Sequence, residues 1–173
     1  MINSLGNQLK SESSAKIYAF LLRKGVRCLE IDTWDGINGE PVVTHGNTLC
    51  TKVPLRQVLQ EISKHAFENG QAFPVILSLE DHCSFEQQCI AANLYQEILG
   101  EALITSEISE QAADASRDSN TLPTPRQLGG KIILKHKKLQ ATSQEKSPSV
   151  QHFASLTEVG KKKILRYLHI YLF

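Results

Sequence analysis

An α/β fold of parallel β/α units is predicted by three observations. Apolar runs of strand length alternate with amphipathic stretches of helix length. The runs PVILSLE and KIILK are apolar almost throughout, as strands covered on both faces are. Each main strand also delivers a charged residue to its C-terminal end.

The first element, ESSAKIYAFLLRK from Glu12 to Lys24, sets Ala15, Ile17, Phe20 and Leu21 at helical spacing, with serines to cap its start and Gly25 to end it. VRCLEID is a short β run, DGING a turn, and EPVVTHG another short strand. PLRQVLQEISKHAF opens with Pro54 and repeats Leu55, Val58, Leu59, Ile62 and Ala66, an amphipathic helix. After PVILSLE (Pro74 to Glu80), Ser84 and Gln87 have the spacing of a capping box for a helix that runs to Gly100. KIILK (Lys131 to Lys135) is the next buried strand. SEISEQAADASRDSN is polar and weakly periodic and reads as a surface insertion, while QATSQEKSPSVQH reads as a linker before a basic-then-apolar ending. A segment of a β/α barrel is the simplest host for this order.

With 173 residues, 41% of them apolar, the chain can bury one core. Its net charge of +1, from 19 basic and 18 acidic residues, offers no global field for nucleic acid, so any anion site is local. No run reaches the roughly 18 apolar residues of a membrane span, and the first residues lack the pattern of a secretory signal. A cytoplasmic location is expected. Cys28, Cys50, Cys83 and Cys89 form no CxxC pair and are expected to be reduced, mostly packed thiols.

The chemistry gathers at strand ends. Glu30 and Asp32, two apart on one strand, face the same side, with Cys28 beside them and Leu29 and Ile31 turned toward the helices. Glu80 closes PVILSLE; Lys135 closes KIILK, and Lys137 follows two residues later. In a β/α barrel such ends form the active-site face. Three carboxylates are hard oxygen donors suited to calcium or magnesium, and lysines suit phosphate oxygens, so the set points to metal-assisted phosphoryl chemistry. His45, next to Gly46 after a short strand, is placed to act as a general acid or base. Taken singly, each group has an ordinary surface explanation; their recurrence at one end favours a site. His65, His82, His136, His152 and His169 carry no assigned role.

Three ordered blocks, GVRCLEIDTWDGINGEPVVTHGNTLCTKV, FPVILSLEDHCSFEQQ and LPTPRQLGGKIILKHKKL, closely resemble the X region of eukaryotic phosphoinositide-specific phospholipase C. The EDHCS and KHKKL segments look most like the gamma class. The resemblance implies a partial TIM-type β/α barrel, the X half, over residues 1–140, with 141–173 a linker and truncated tail. It implies calcium-dependent cleavage of phosphatidylinositol 4,5-bisphosphate into diacylglycerol and inositol trisphosphate, by a protein peripheral to the inner membrane surface. By motif, Glu30, Asp32 and Glu80 resemble the calcium ligands, with Glu30 also placed as the base. His45 resembles the histidine that protonates the diacylglycerol leaving group, and Lys135 and Lys137 the lysines that grip ring phosphates.

The departures are as specific. A family motif like SHNTYLTGDQL, with a catalytic histidine and a calcium-binding asparagine, would fall at and before Met1. Thr33 stands where cysteine is common, and Thr44 where tyrosine is common. A partner Y half is expected and does not follow in this sequence. The alternative reading is therefore an inactive phosphoinositide or inositol-phosphate binder using Lys135 and Lys137. A third, a barrel phosphodiesterase acting on glycerol phosphodiesters, fits the three blocks less well.

Overall fold

The computed structural model describes residues 14–44, 52–70, 72–104 and 124–136. Helix α1 (Lys16–Arg23) lies within the predicted Glu12–Lys24 stretch. The Ser14 hydroxyl accepts the Lys16 N–H at 3.3 Å, satisfying one of the exposed donors at the helix start. Its end is a Schellman arrangement: Gly25, at φ 88°, donates to the Leu22 carbonyl while Val26 donates to that of Leu21.

The remaining elements are β1 (Cys28–Trp34), β2 (Val42–Val43), β3 (Val53–Pro54), α2 (Leu55–His65), β4 (Val75–Asp81), α3 (Phe85–Leu99) and β5 (Ile132–His136). Five strands form one sheet in the order β3-β2-β1-β4-β5. The parallel expectation holds for β1, β4 and β5, whereas β2 and β3 pair antiparallel. The DGING turn is too short for a crossover, so the chain leaving β1 must return alongside it as a hairpin. Pro54, expected at the helix start, is the N-cap of α2, with φ −54° and ψ 133°, and its predecessor Val53 pairs in the sheet.

The helices cover one face of the parallel strands. Leu29, Ile31, Val75, Leu77, Ile132 and Leu134 alternate into that layer and are buried with Tyr18 and Leu22 of α1, Val58, Leu59 and Ile62 of α2, and Leu94 and Tyr95 of α3. The opposite face is more open: Cys28 and Lys135 are exposed, and Ile76, Ser78 and Ile133 half-buried. PVILSLE therefore has one face packed by helices and one facing the hollow side of the sheet. This corrects the expectation for Cys28, which is exposed; Cys83 is buried and Cys89 half-buried. These thiols are free, while Cys50 lies outside the described residues.

His65 also departs from its bland reading. It is 4% exposed at the end of α2, and its Nδ1 lies 2.8 Å from Glu68, whose carboxylate also accepts Arg23 Nε at 2.8 Å. The cluster joins α1 to the turn after α2. The surface-insertion and linker segments lie outside the described residues.

Candidate active site

In-register pairing decides which side chains share the open face. Cys28 pairs with Ile76 and Ile76 with Ile133; Glu30 pairs with Ser78 and Ser78 with Lys135; Asp32 pairs with Glu80. Residues opposite one another in a sheet point to the same side, so these are successive rows running from the apolar beginning of the strands to a charged end. The expected grouping of Glu30, Asp32 and Glu80 is observed: one carboxylate oxygen from each lies within 4.8 Å of the others.

Burial grades across the triad. Asp32 is 4% exposed, Glu30 half-buried and Glu80 exposed, which puts one firmly held acid at the back and one at the solvent side. The Thr44 N–H donates to the Asp32 carbonyl at 3.1 Å and pins the backbone of the innermost acid. Behind the sheet, the Tyr18 hydroxyl donates to the Glu30 carbonyl at 3.2 Å. Burial, reinforced by the negative charges of Asp32 and Glu30, holds the Tyr18 phenol protonated far above its usual range, so it remains a donor.

Lys135 stands in the Glu30 row two strands away, a separation of roughly 10 Å, and is solvent-exposed. It therefore flanks the acidic group without closing on it. His45 and Lys137 lie outside the described residues. Thr44, the neighbour of His45 in sequence, is 2% exposed.

Several participants were not singled out by sequence reasoning. Thr33 Oγ1 donates to Asp81 Oδ1 at 3.1 Å, and that same oxygen accepts the Cys83 N–H at 2.9 Å. Asp35 Oδ1 accepts both the N–H and the hydroxyl of Ser84, at 2.9 and 3.0 Å. The capping expectation is half met: Ser84 Oγ accepts the Gln87 N–H at 3.5 Å, but the Gln87 amide turns to Gly36, accepting its N–H at 2.9 Å and donating to its carbonyl at 3.0 Å. Asp35 occupies the Ser84 N–H that the box would have used, leaving Gln87 to bind the turn. The signal in the sequence was EDHCS, an Asp two residues before a loop N–H in an Asx-turn spacing, directly followed by a helix cap.

Above the acids, Trp34 and His82 stack with ring centroids 4.3 Å apart and planes 20° from parallel, so His82 is not an idle loop residue. Burial and the adjacent Asp81 carboxylate push the Cys83 thiol up to about 12. A hollow of about 540 Å³ opens at the opposite end of the strands, lined mostly by apolar side chains such as Val26, Phe73, Pro74 and Ile76. It shares no residue with the acidic group.

Residues 2–138 match the family described as phosphatidylinositol-specific phospholipase C, X domain. The chain belongs to that family. Its relatives include rat 1-phosphatidylinositol 4,5-bisphosphate phosphodiesterase gamma-2, 49% identical over 78% of this chain, and human eta-2, 45% identical over 82%. Bovine delta-4 is 43% identical over 82% of this X-domain chain. The chain spans about a tenth of the length of the gamma-2 and eta-2 relatives, 10% in each case, and 17% of delta-4. The crystal structure of L. pealei PLC21 superposes with a TM-score of 0.68 at 40% identity, covering 84% of this chain and 18% of that one. A Ca2+-dependent phosphatidylinositol-specific phospholipase C from Streptomyces antibioticus superposes with a TM-score of 0.56, covering 92% of this chain and 61% of that one. Its 19% identity speaks to the fold alone. The α/β architecture is thus that of a partial β/α barrel. Among the described residues, no helix is long and apolar enough to cross a membrane.

Proposed function

We propose that this X domain carries the calcium-holding half of a phosphoinositide phospholipase C site, directed at phosphatidylinositol 4,5-bisphosphate from the inner membrane surface. The observation that carries the reading is the convergence of Glu30, Asp32 and Glu80 within 4.8 Å at the C-terminal ends of two parallel strands. Three oxygen donors, one of them on a nearly buried aspartate, fit a hard divalent cation and give their mutual repulsion a partner. When bound there, calcium would lower the pKa of the inositol 2-hydroxyl and offset charge on the phosphoryl group.

The chain's own residues supply the rest. Glu30, half-buried in the middle row, is assigned as the base that takes the ring-hydroxyl proton; His45 is assigned as the acid that protonates the departing diacylglycerol oxygen. Lys135 and Lys137 are assigned to the ring phosphates, and Lys135 has the exposure and row position for it. The expected second half of the barrel, the Y region, completes the substrate pocket in this reading. Residues 1–140 form the X domain and 141–173 the linker and tail.

Calcium titration of the chain by calorimetry tests the site: wild type binds, and Glu80→Gln loses most of the heat. Absence of binding by wild type refutes the proposal. Turnover of phosphatidylinositol bisphosphate vesicles is expected to be low for this chain alone; turnover near that of an intact family member refutes the expectation. The exposed Lys135 favours a second reading, an inositol-phosphate binder without turnover. Titration with inositol trisphosphate should then give binding that Lys135→Ala reduces by about tenfold, as loss of one charge-assisted contact would.

A further inference from the structure

We infer that Asp81 and Thr33 are positioning residues that set the spacing between the two strands bearing the acidic group. The inference rests on the calcium-site reading above. Thr33 and Asp81 form the last in-register pair of β1 and β4, one residue beyond Asp32 and Glu80. Being one residue on, they face away from the acids, and neither belongs to the carboxylate triad. Thr33 is 3% exposed and Asp81 half-buried.

Their bonding is convergent. A single oxygen, Asp81 Oδ1, accepts the Thr33 hydroxyl from β1 and the Cys83 N–H from the loop leaving β4. The Thr33 hydroxyl also lies 3.5 Å from the Glu80 carbonyl. The backbone ladder continues one step further, with the His82 N–H donating to the Thr33 carbonyl at 2.9 Å. The ends of two strands would ordinarily splay and fray where pairing stops; here a side-chain bond joins them directly after the two ligands. Groups that hold metal ligands in orientation govern affinity without touching the ion. Asp81 does this through its acceptor oxygen, so the bond, rather than the charge, is what the site needs.

Four variants of the full 173-residue chain separate these roles. Terbium(III) serves as the probe, sensitised by Trp34, the single tryptophan, with calcium in competition. Asp81→Ala and Thr33→Val are expected to weaken binding by about tenfold, the scale seen when a ligand's supporting group is lost. Asp81→Asn keeps a carbonyl acceptor and is expected to bind within about twofold of wild type. Glu80→Gln abolishes binding. Amide exchange at Cys83 should accelerate in Asp81→Ala and stay slow in Asp81→Asn. If Asp81→Ala does not fold, Thr33→Val, which keeps the side-chain volume, carries the test. Wild-type affinity in both of these variants overturns the inference and leaves the calcium site standing. Weak binding by Asp81→Asn with unchanged Thr33→Val overturns it too, since charge alone would then be responsible. No binding by wild type removes the calcium site and the inference together.

Discussion

Gly36→Ala is expected to open the turn after β1. A Cβ at Gly36 runs into the Glu40 carbonyl oxygen and comes within 3.1 Å of Val42 Cγ1, so the clash is with backbone that cannot rotate away. Movement of Gly36 also pulls its N–H and carbonyl from the Gln87 amide, with which they bond at 2.9 and 3.0 Å. Two neutral hydrogen bonds are worth about 0.5–1.5 kcal/mol each, and forced overpacking costs about 1–3 kcal/mol, which places the destabilisation at roughly 2–6 kcal/mol. Urea unfolding followed by Trp34 fluorescence measures it. The reasoning also specifies a coupling: Gln87→Ala should destabilise wild type by about 1–3 kcal/mol but add little to Gly36→Ala, because the turn has already withdrawn. A loss below about 0.5 kcal/mol, or full additivity of the two substitutions, refutes it.

Leu59→Ala, at a fully buried α2 position, should cost about 2–5 kcal/mol in denaturant unfolding. Glu80→Gln should raise the melting temperature of the calcium-free chain while removing the rise that calcium confers on wild type, because it relieves repulsion among three clustered carboxylates. The part of the stability that depends on the Cys83 thiol should be fully present below about pH 9 and be lost as pH climbs toward 12. The folded Cys83 thiol is raised to about 12 from an ordinary 9.0, so the unfolded chain gives up its proton first. Melting temperatures between pH 8 and 10.5 should decline less in Cys83→Ser. Iodoacetamide at pH 8 should label the exposed Cys28 well before Cys83, as read by peptide mass.

Much of the fold was legible because its main strands advertise themselves. The spans PVILSLE and KIILK differ from β4 and β5 by one residue at each end, and the three helices fall inside their predicted spans. Period-two alternation was also enough to bring Glu30 and Asp32 together, and strand-end position enough to add Glu80. What escaped was everything set by long-range contact. The two-residue β2 falls inside the predicted EPVVTHG strand, but its antiparallel pairing and the equally short β3 gave no local period. The link from Gln87 to Gly36 spans 51 residues, and the link from Thr33 to Asp81 spans 48; no local pattern announces either partner. Gln87 looked like a capping residue because its spacing from Ser84 was right. Its side chain went elsewhere because Asp35, brought close only by the fold, had taken the cap's remaining donor.

The row pattern on the open face has a consequence for how the sheet finds its pairing. A slip of β4 by one residue against β1 would set Leu79 beside Asp32 and turn Ser78 and Glu80 into the layer occupied by Leu29 and Ile31. Glu80 would then be a carboxylate driven into the buried helix layer, where an unpaired charge is strongly unfavourable. The acids that equip the mouth of the sheet therefore also proofread its assembly: a chain that mispairs β1 and β4 is penalised by the residues it would later need to hold an ion.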